Sequence, residues 1–156
     1  MNRKLEITPE LRLEIRPFQP ADQEAVRGLV LAGLEDHWGS LDLSLNPDLN
    51  DIAAAYAPGT FLVGRLAGEI AACGAFLPRG AHRAQIVRMS VRRENRGQGL
   101  GGQMLQVLIA AARTRGICEV TLETTETWNE VIAFYQKHGF VITHHAGGDV
   151  YFKLNV

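Results

Sequence analysis

A single α/β domain of the α+β kind is predicted for this chain, with a mixed, mostly antiparallel sheet of six to seven strands and about four helices. Three observations carry the prediction. At 156 residues the chain has the length of one domain and can bury about two-thirds of its unfolded surface. Strand-like runs follow one another without intervening helices, which calls for antiparallel pairing. Only one strand–helix–strand unit suits a parallel crossover, and it is centred on the glycine-rich segment RGQGLGG, Arg96 to Gly102.

Residues 1–9 read as a polar, flexible or extended lead, and 1–156 as one domain. In LRLEIRP, Leu11, Leu13 and Ile15 alternate with Arg12 and Glu14, as in a half-buried strand. PADQEAVRGLVLAGL then carries Pro20 and Asp22 near its start, with Val26, Leu29, Val30 and Leu34 at helical spacing. From Glu35 to Asp51 the pattern dissolves into EDHWGSLDLSLNPDLND, followed by a short helix around Leu49 to Tyr56. GTFLVGRLAGEIAACGAFLP is a hairpin turning at Ala67-Gly68, and AQIVRMSV is a further strand whose Val87, Met89 and Val91 are expected on one buried face. GLGGQMLQVLIAAARTRG is a helix burying Met104, Leu105, Leu108, Ile109 and Ala112, with Gly116 as its stop. ICEVTLE is a strand and WNEVIAFYQKH a helix capped by Gly139. FVITHH and VYFKL close the chain as a hairpin around Gly147-Gly148.

Sixteen basic against 17 acidic residues give no global field of the kind that draws nucleic acid or an anionic membrane. No apolar run reaches the length of a membrane span, and the first residues lack the apolar core of a signal peptide, so a cytoplasmic protein is expected. Cys73 and Cys118 cannot build a disulfide framework, and both are expected to be small buried hydrophobes in a reducing compartment. The five histidines lack ligand spacing, and the adjacent His144 and His145 point to opposite faces of a strand, so no metal is expected.

RGQGLGG overlays two phosphate-binding signatures. Gly97, Gly99 and Gly102 spell G-x-G-x-x-G, whereas Arg96, Gly99 and Gly101 spell R-x-x-G-x-G. Both use glycines to bring backbone N–H groups and a helix N-terminus against a phosphate. A dinucleotide fold requires its first glycine directly after the strand and repeated βαβ units. Here RRENR separates Val91 from Gly97, and a second nucleotide-binding half is missing, although Glu123 occupies the place of the expected acidic residue.

VRRENRGQGLGGQMLQVLIAAARTRG resembles the acetyl-coenzyme A loop and helix of the GCN5-related N-acetyltransferase (GNAT) superfamily. LETTETWNEVIAFYQKHGF resembles the next block of that family, ending in Y-x-x-x-G-F at Tyr135, Gly139 and Phe140. The resemblance implies a GNAT-like sheet with its parallel crossover at the cofactor loop. It also implies acetyl-coenzyme A as acyl donor, bound by the backbone of Gly97, Gln98, Gly99, Leu100, Gly101 and Gly102 with Arg96 at the loop entrance. Met89, Ser90 and Val91 would line the pantetheine arm, one N–H meeting the thioester oxygen. Tyr135 matches the tyrosine that protonates the leaving thiolate, and its phenol, with an ordinary pKa of about 10, can do so at neutral pH. Glu123 matches the glutamate that serves as base in ribosomal-protein N-terminal acetyltransferases; the alternatives are a water chain or a merely solvated carboxylate. The family often places an asparagine seven residues before the tyrosine. That slot holds Trp128 here, and Asn129 follows as either a cofactor contact or a helix cap.

The irregular segment after the first helix lines the acceptor site in the family. Glu35 and Asp36, with Asp42, Asp48 and Asp51, are therefore expected to attract a cationic amine, and Trp38 to supply an aromatic wall. The expected activity is transfer of acetyl to a primary amine of a small molecule or a protein N-terminus, by direct attack on the thioester. The alternatives are a non-catalytic acyl-coenzyme A sensor and a dinucleotide-binding oxidoreductase. Homodimer formation through the C-terminal strands rests on the resemblance alone.

Overall fold

The computed structural model describes residues 11–156. The lead expected over residues 1–9 lies outside the described residues. Seven strands form one sheet: β1 (Glu14–Pro17), β2 (Thr60–Leu66), β3 (Glu69–Pro78), β4 (Arg83–Val91), β5 (Glu119–Thr125), β6 (Val141–Ala146) and β7 (Asp149–Asn155). Their order is β1-β2-β3-β4-β5-β7-β6, antiparallel throughout except for the parallel pair β4–β5. The helices are α1 (Gln23–Trp38), α2 (Ile52–Ala55), α3 (Leu100–Thr114) and α4 (Asn129–Lys137), supplemented by short 3₁₀ turns. The mixed, mostly antiparallel sheet with one crossover is the predicted fold.

The sheet separates two cores. On one face the predicted stripe of α3 (Met104, Leu105, Leu108, Ile109 and Ala112) packs with Phe76, Ile86, Leu122, Tyr135 and Phe152. On the other face Val26, Val30 and Leu31 of α1 meet Leu49, Ile52, Phe61 and Val63. Fully burying each such aliphatic or aromatic side chain stabilises the fold by about 1.5–3 kcal/mol, so the two helix layers are held by area rather than by helix propensity.

Four local expectations need correction. The first strand begins at Glu14, because the carboxamide of Gln103 takes the place of a neighbouring strand just upstream. Its Oε1 accepts from Leu13 N at 3.0 Å and its Nε2 donates to Leu11 O at 2.6 Å, and Leu11 itself is exposed. Helix α1 runs on through the EDHW stretch that had looked irregular. What ends it is Gly39 in the left-handed region (φ 73°), whose N–H donates to Glu35 O at 2.7 Å.

Val87, Met89 and Val91 do not share a face. Arg88 has φ 56° and the β3–β4 register shifts opposite it, a β-bulge that resets the alternation. Val87 therefore packs with the α1 core, while Met89 and Val91 pack with the α3 core. Gly74 lies opposite the bulge, and a Cβ there would stand 2.5 Å from Met89 Sδ. Finally, Cys73 is buried as expected but Cys118 is exposed, because it precedes β5 and turns outward between the inward-facing Ile117 and Val120.

The entry to α1 is fastened by a paired carboxylate. Asp22 accepts from Arg16 Nη1 at 2.7 Å, from Arg16 Nη2 at 3.0 Å and from Gln19 N at 2.8 Å. The Arg16 bonds hold its carboxyl below the usual carboxylate range, against the opposing effect of burial. A depressed folded-state pKa means that this contribution is fully present above the unfolded value of about 3.9 and is lost as pH falls through the folded one. Thermal melts from pH 7 to pH 2.5 should therefore show the advantage of the wild type over Asp22→Asn flat above about pH 4.5 and shrinking below it.

Candidate active site

β4 and β5 are paired only over Arg83–Gln85 and Glu119–Thr121. Beyond these residues the strands part, and from Ile86 onward β4 has no partner on its β5 side among the described residues. A cleft of about 430 Å³ fills the gap. β4 supplies one wall from Ile86 to Val91, Glu123 and Thr124 of β5 another, and α1 and α4 close the sides. The bulge at Arg88 falls within this unpaired stretch of β4.

At one end of the cleft the chain leaves β4 and enters α3 through the glycine-rich loop. Gly97 and Gly99 have φ of 76° and 81°, a left-handed conformation that glycine adopts at little cost. Gly99 is the N-cap of α3. Among the described residues, no acceptor is bonded to the backbone N–H groups from Gly97 to Gly102. These unsatisfied donors at the positive end of a 15-residue helix make an anion site.

Arg96 borders this loop, but its guanidinium is already engaged. Nε donates to Val91 O at 3.1 Å, and Nη2 pairs with Asp36 of α1 at 3.2 Å. Asp36 also approaches Arg93 at 3.6 Å. The carboxylate that sequence reasoning assigned to the acceptor thus ties α1 to the loop.

Tyr135 projects from α4 into the cleft and is 7% exposed. Its hydroxyl makes no hydrogen bond among the described residues, where no side-chain nitrogen or oxygen is both buried and unbonded. The oxygen therefore opens into the cleft. Burial alone pushes the phenol far above its ordinary pKa, which keeps it protonated. Glu123 lines the same cleft from the free end of β5 and is exposed. It stands opposite Tyr151 of β7, whose phenol pKa its carboxylate raises.

The structure thus brings Met89, Ser90, Val91, Arg96, Gly97, Gly99, Leu100, Gly101, Glu123 and Tyr135 to one cleft. Gln98 and Gly102 belong to the loop but do not line it; a Cβ at Gly102 would meet the His138 ring at 3.1 Å. Asn129 is the exposed first residue of α4, and Trp128, in the N-cap position, lines the cleft instead. Glu35, Asp36 and Trp38 fall in the last turn of α1 and do not line it either. Of the other carboxylates in that region, Asp42 caps the turn at Ser44, Asp51 caps α2, and Asp48 is paired with Arg88.

Among the cleft residues that the sequence did not mark as site residues are His37, Trp128 and Arg88. His37 stacks on Trp128 with ring centroids 4.2 Å apart, and Trp38 meets the same indole edge-on at 5.3 Å. This aromatic contact joins the end of α1 to the start of α4 across the cleft. Trp128 had been noticed only as a departure from a family pattern. Arg88 carried a signal of its own, a charged residue inside the apolar run AQIVRMSV.

Fold and cleft together define an acyl-coenzyme A-type transferase architecture, and the comparisons agree. The model of the Acetyltransferase (GNAT) family matches residues 25–140, and the chain belongs to that family. It is 33% identical over 108 residues to N-acetyltransferase family 8 member 2 of Rattus norvegicus, covering 65% of this chain and 48% of that protein. It is 31% identical over 121 residues to IAA acetyltransferase of Azospirillum brasilense, covering 76% and 78% respectively. The chain spans about half the length of most of the curated relatives it matches. Among solved structures, PaiA N-acetyltransferase of Thermoplasma acidophilum in complex with coenzyme A superposes with a TM-score of 0.81 at 17% identity, covering 92% of this chain and 99% of that one. Among the described residues no helix is long and apolar enough to cross a membrane, and no three His, Cys, Asp or Glu side chains are grouped to hold a metal ion.

Proposed function

We propose that this protein is an acetyl-coenzyme A-dependent N-acetyltransferase that transfers acetyl to a primary amine of a small molecule or a protein N-terminus by direct attack. The observation that carries the proposal is the meeting, in one cleft, of a glycine loop with unbonded N–H groups, a strand edge without a partner and a buried tyrosine with an open hydroxyl. The residues fit the coenzyme. The loop offers backbone donors and a helix N-terminus to a diphosphate, and the left-handed φ of Gly97 and Gly99 is one that glycine adopts at little cost. The edge of β4 from Met89 to Val91 offers N–H and C=O groups to an amide-bearing arm. When bound, acetyl-coenzyme A supplies the activated acyl group.

Tyr135 then provides the proton for the departing sulfur. Glu123, exposed at the mouth of the cleft, takes the proton of the incoming ammonium directly or through water. His37 and Trp128 form an apolar wall on the acceptor side. The domain spans 1–156 and works in a reducing, cytoplasmic compartment, consistent with two unpaired cysteines. A homodimer would form through β6, an edge strand with Val141 and Ile142 exposed.

Calorimetric titration with acetyl-coenzyme A, with NADH in parallel, should give binding of the coenzyme alone, and thiol release should then appear with members of an amine panel. Binding without turnover of any amine would favour a sensor. Binding of NADH instead would overturn the reading of the loop.

A further inference from the structure

Arg88 sits at the strained point of the bulge, with a backbone conformation that non-glycine residues adopt only where their surroundings impose it. What imposes it is a network from the α1–α2 connection. Nε donates to Asp48 Oδ2 at 3.0 Å, and Nη2 to Asp48 Oδ1 at 2.7 Å and Asn46 Oδ1 at 3.1 Å. Tyr56 commits its hydroxyl proton to Asp48 Oδ2 at 2.6 Å. A guanidinium has five N–H donors in a fixed plane, and these bonds use three of them. Nη1 carries none among the described residues. Since no side-chain nitrogen there is both buried and unbonded, Nη1 is open to solvent, and Arg88 borders the cleft.

The ligand of that free edge must accept hydrogen bonds, and an oxyanion does so best against a guanidinium. The coenzyme's phosphates do not fit the requirement. Their site is the glycine loop, and at about 3.3 Å per strand residue the stretch from Arg88 to Val91 alone puts roughly 10 Å between them along β4. The cleft also carries Glu123 at the opposite strand end. One positive and one negative side chain thus border the space where an acceptor would lie.

We propose that Arg88 is a specificity residue that binds a carboxylate of the acceptor, so that the preferred acceptors are amino acids or amines of similar zwitterionic character. This deepens the function proposed above and rests on it. Asp48, Asn46 and Tyr56 act through Arg88 as positioning residues that aim its free Nη1.

The test compares phenylalanine, leucine and methionine, each against its carboxamide and its decarboxylated amine, in turnover and in calorimetric binding to the coenzyme A-bound protein. A charged hydrogen bond of about 1.5–3 kcal/mol corresponds to about a ten- to hundredfold preference. The wild type should show that preference for the acid in at least one pair. The Arg88→Gln variant should reduce it to within about twofold. Asp48, a half-buried carboxylate, loses its paired cation in that variant, so Arg88→Gln combined with Asp48→Asn, which leaves no unpaired charge, is measured beside it, with coenzyme A affinity as the control for folding. A wild type without carboxylate preference in every pair, by turnover and by binding, overturns the inference, as does a variant that keeps the preference. Amine turnover without preference leaves the proposed function standing. Carboxylate-selective binding without any turnover defeats the proposed function and supports Arg88 as the reader.

Discussion

Replacing Tyr135 by phenylalanine should lower kcat by about a hundredfold or more, the usual contribution of a positioned general acid, while coenzyme A affinity stays within twofold. The geometry explains the separation. The hydroxyl bonds to nothing among the described residues and opens into the cleft, whereas the ring packs against Phe134, Phe140 and Phe152. Phenylalanine keeps the ring and deletes only the proton donor, so the melting temperature should move little. Because burial raises the phenol pKa, the kcat profile should show no loss of a tyrosine proton anywhere below about pH 10. Equal kcat in both proteins, measured by thiol release, would make Tyr135 a packing residue.

Gly99→Val should weaken coenzyme A binding by about a hundredfold. At φ 81° a β-branched side chain is strained by about 1–2 kcal/mol, and the relief is rotation of the peptide units that point N–H groups at the anion. Loss of charged hydrogen bonds costs about 1.5–3 kcal/mol each. No protein atom lies within 4 Å of a Cβ placed at Gly99, so the effect is one of conformation and approach and not of overpacking. Gly80 provides the control. It has φ 112° and equally open surroundings, but lies in the β3–β4 turn away from the loop. Gly80→Val should lower stability comparably and leave coenzyme A affinity unchanged in the same titration. Equal losses of affinity in both variants would mean that the glycine loop has no special part in binding.

Much of this molecule was legible in its residues. The stripe of α3 and the turns at Ala67-Gly68 and Gly147-Gly148 follow from side-chain period and from backbone conformations that few residues accept. So does the position of the glycine loop at the start of α3. These are local properties, determined within a window of ten or twenty residues. The loop and Tyr135 could be marked from sequence because each depends on a short spacing of particular residues.

What the sequence could not determine depends on residues far apart. The irregular look of EDHW concealed a helix turn, since apolar period ends where His37 and Trp38 turn to pack against Trp128, some ninety positions away in the chain. The bulge at Arg88 breaks the alternation that Val87, Met89 and Val91 display in one dimension, and the side chain at its apex pairs with Asp48 on another element. Carboxylates that read as bait for an amine, Asp36 and Asp48, are held by arginines across the fold. The sequence by itself determined the fold and the position of the loop, because periodicity, turn preference and helix termini act locally. The tertiary structure alone decided which charges remain unpaired and which side chains share the cleft, because a charge's partner is set by distance in space.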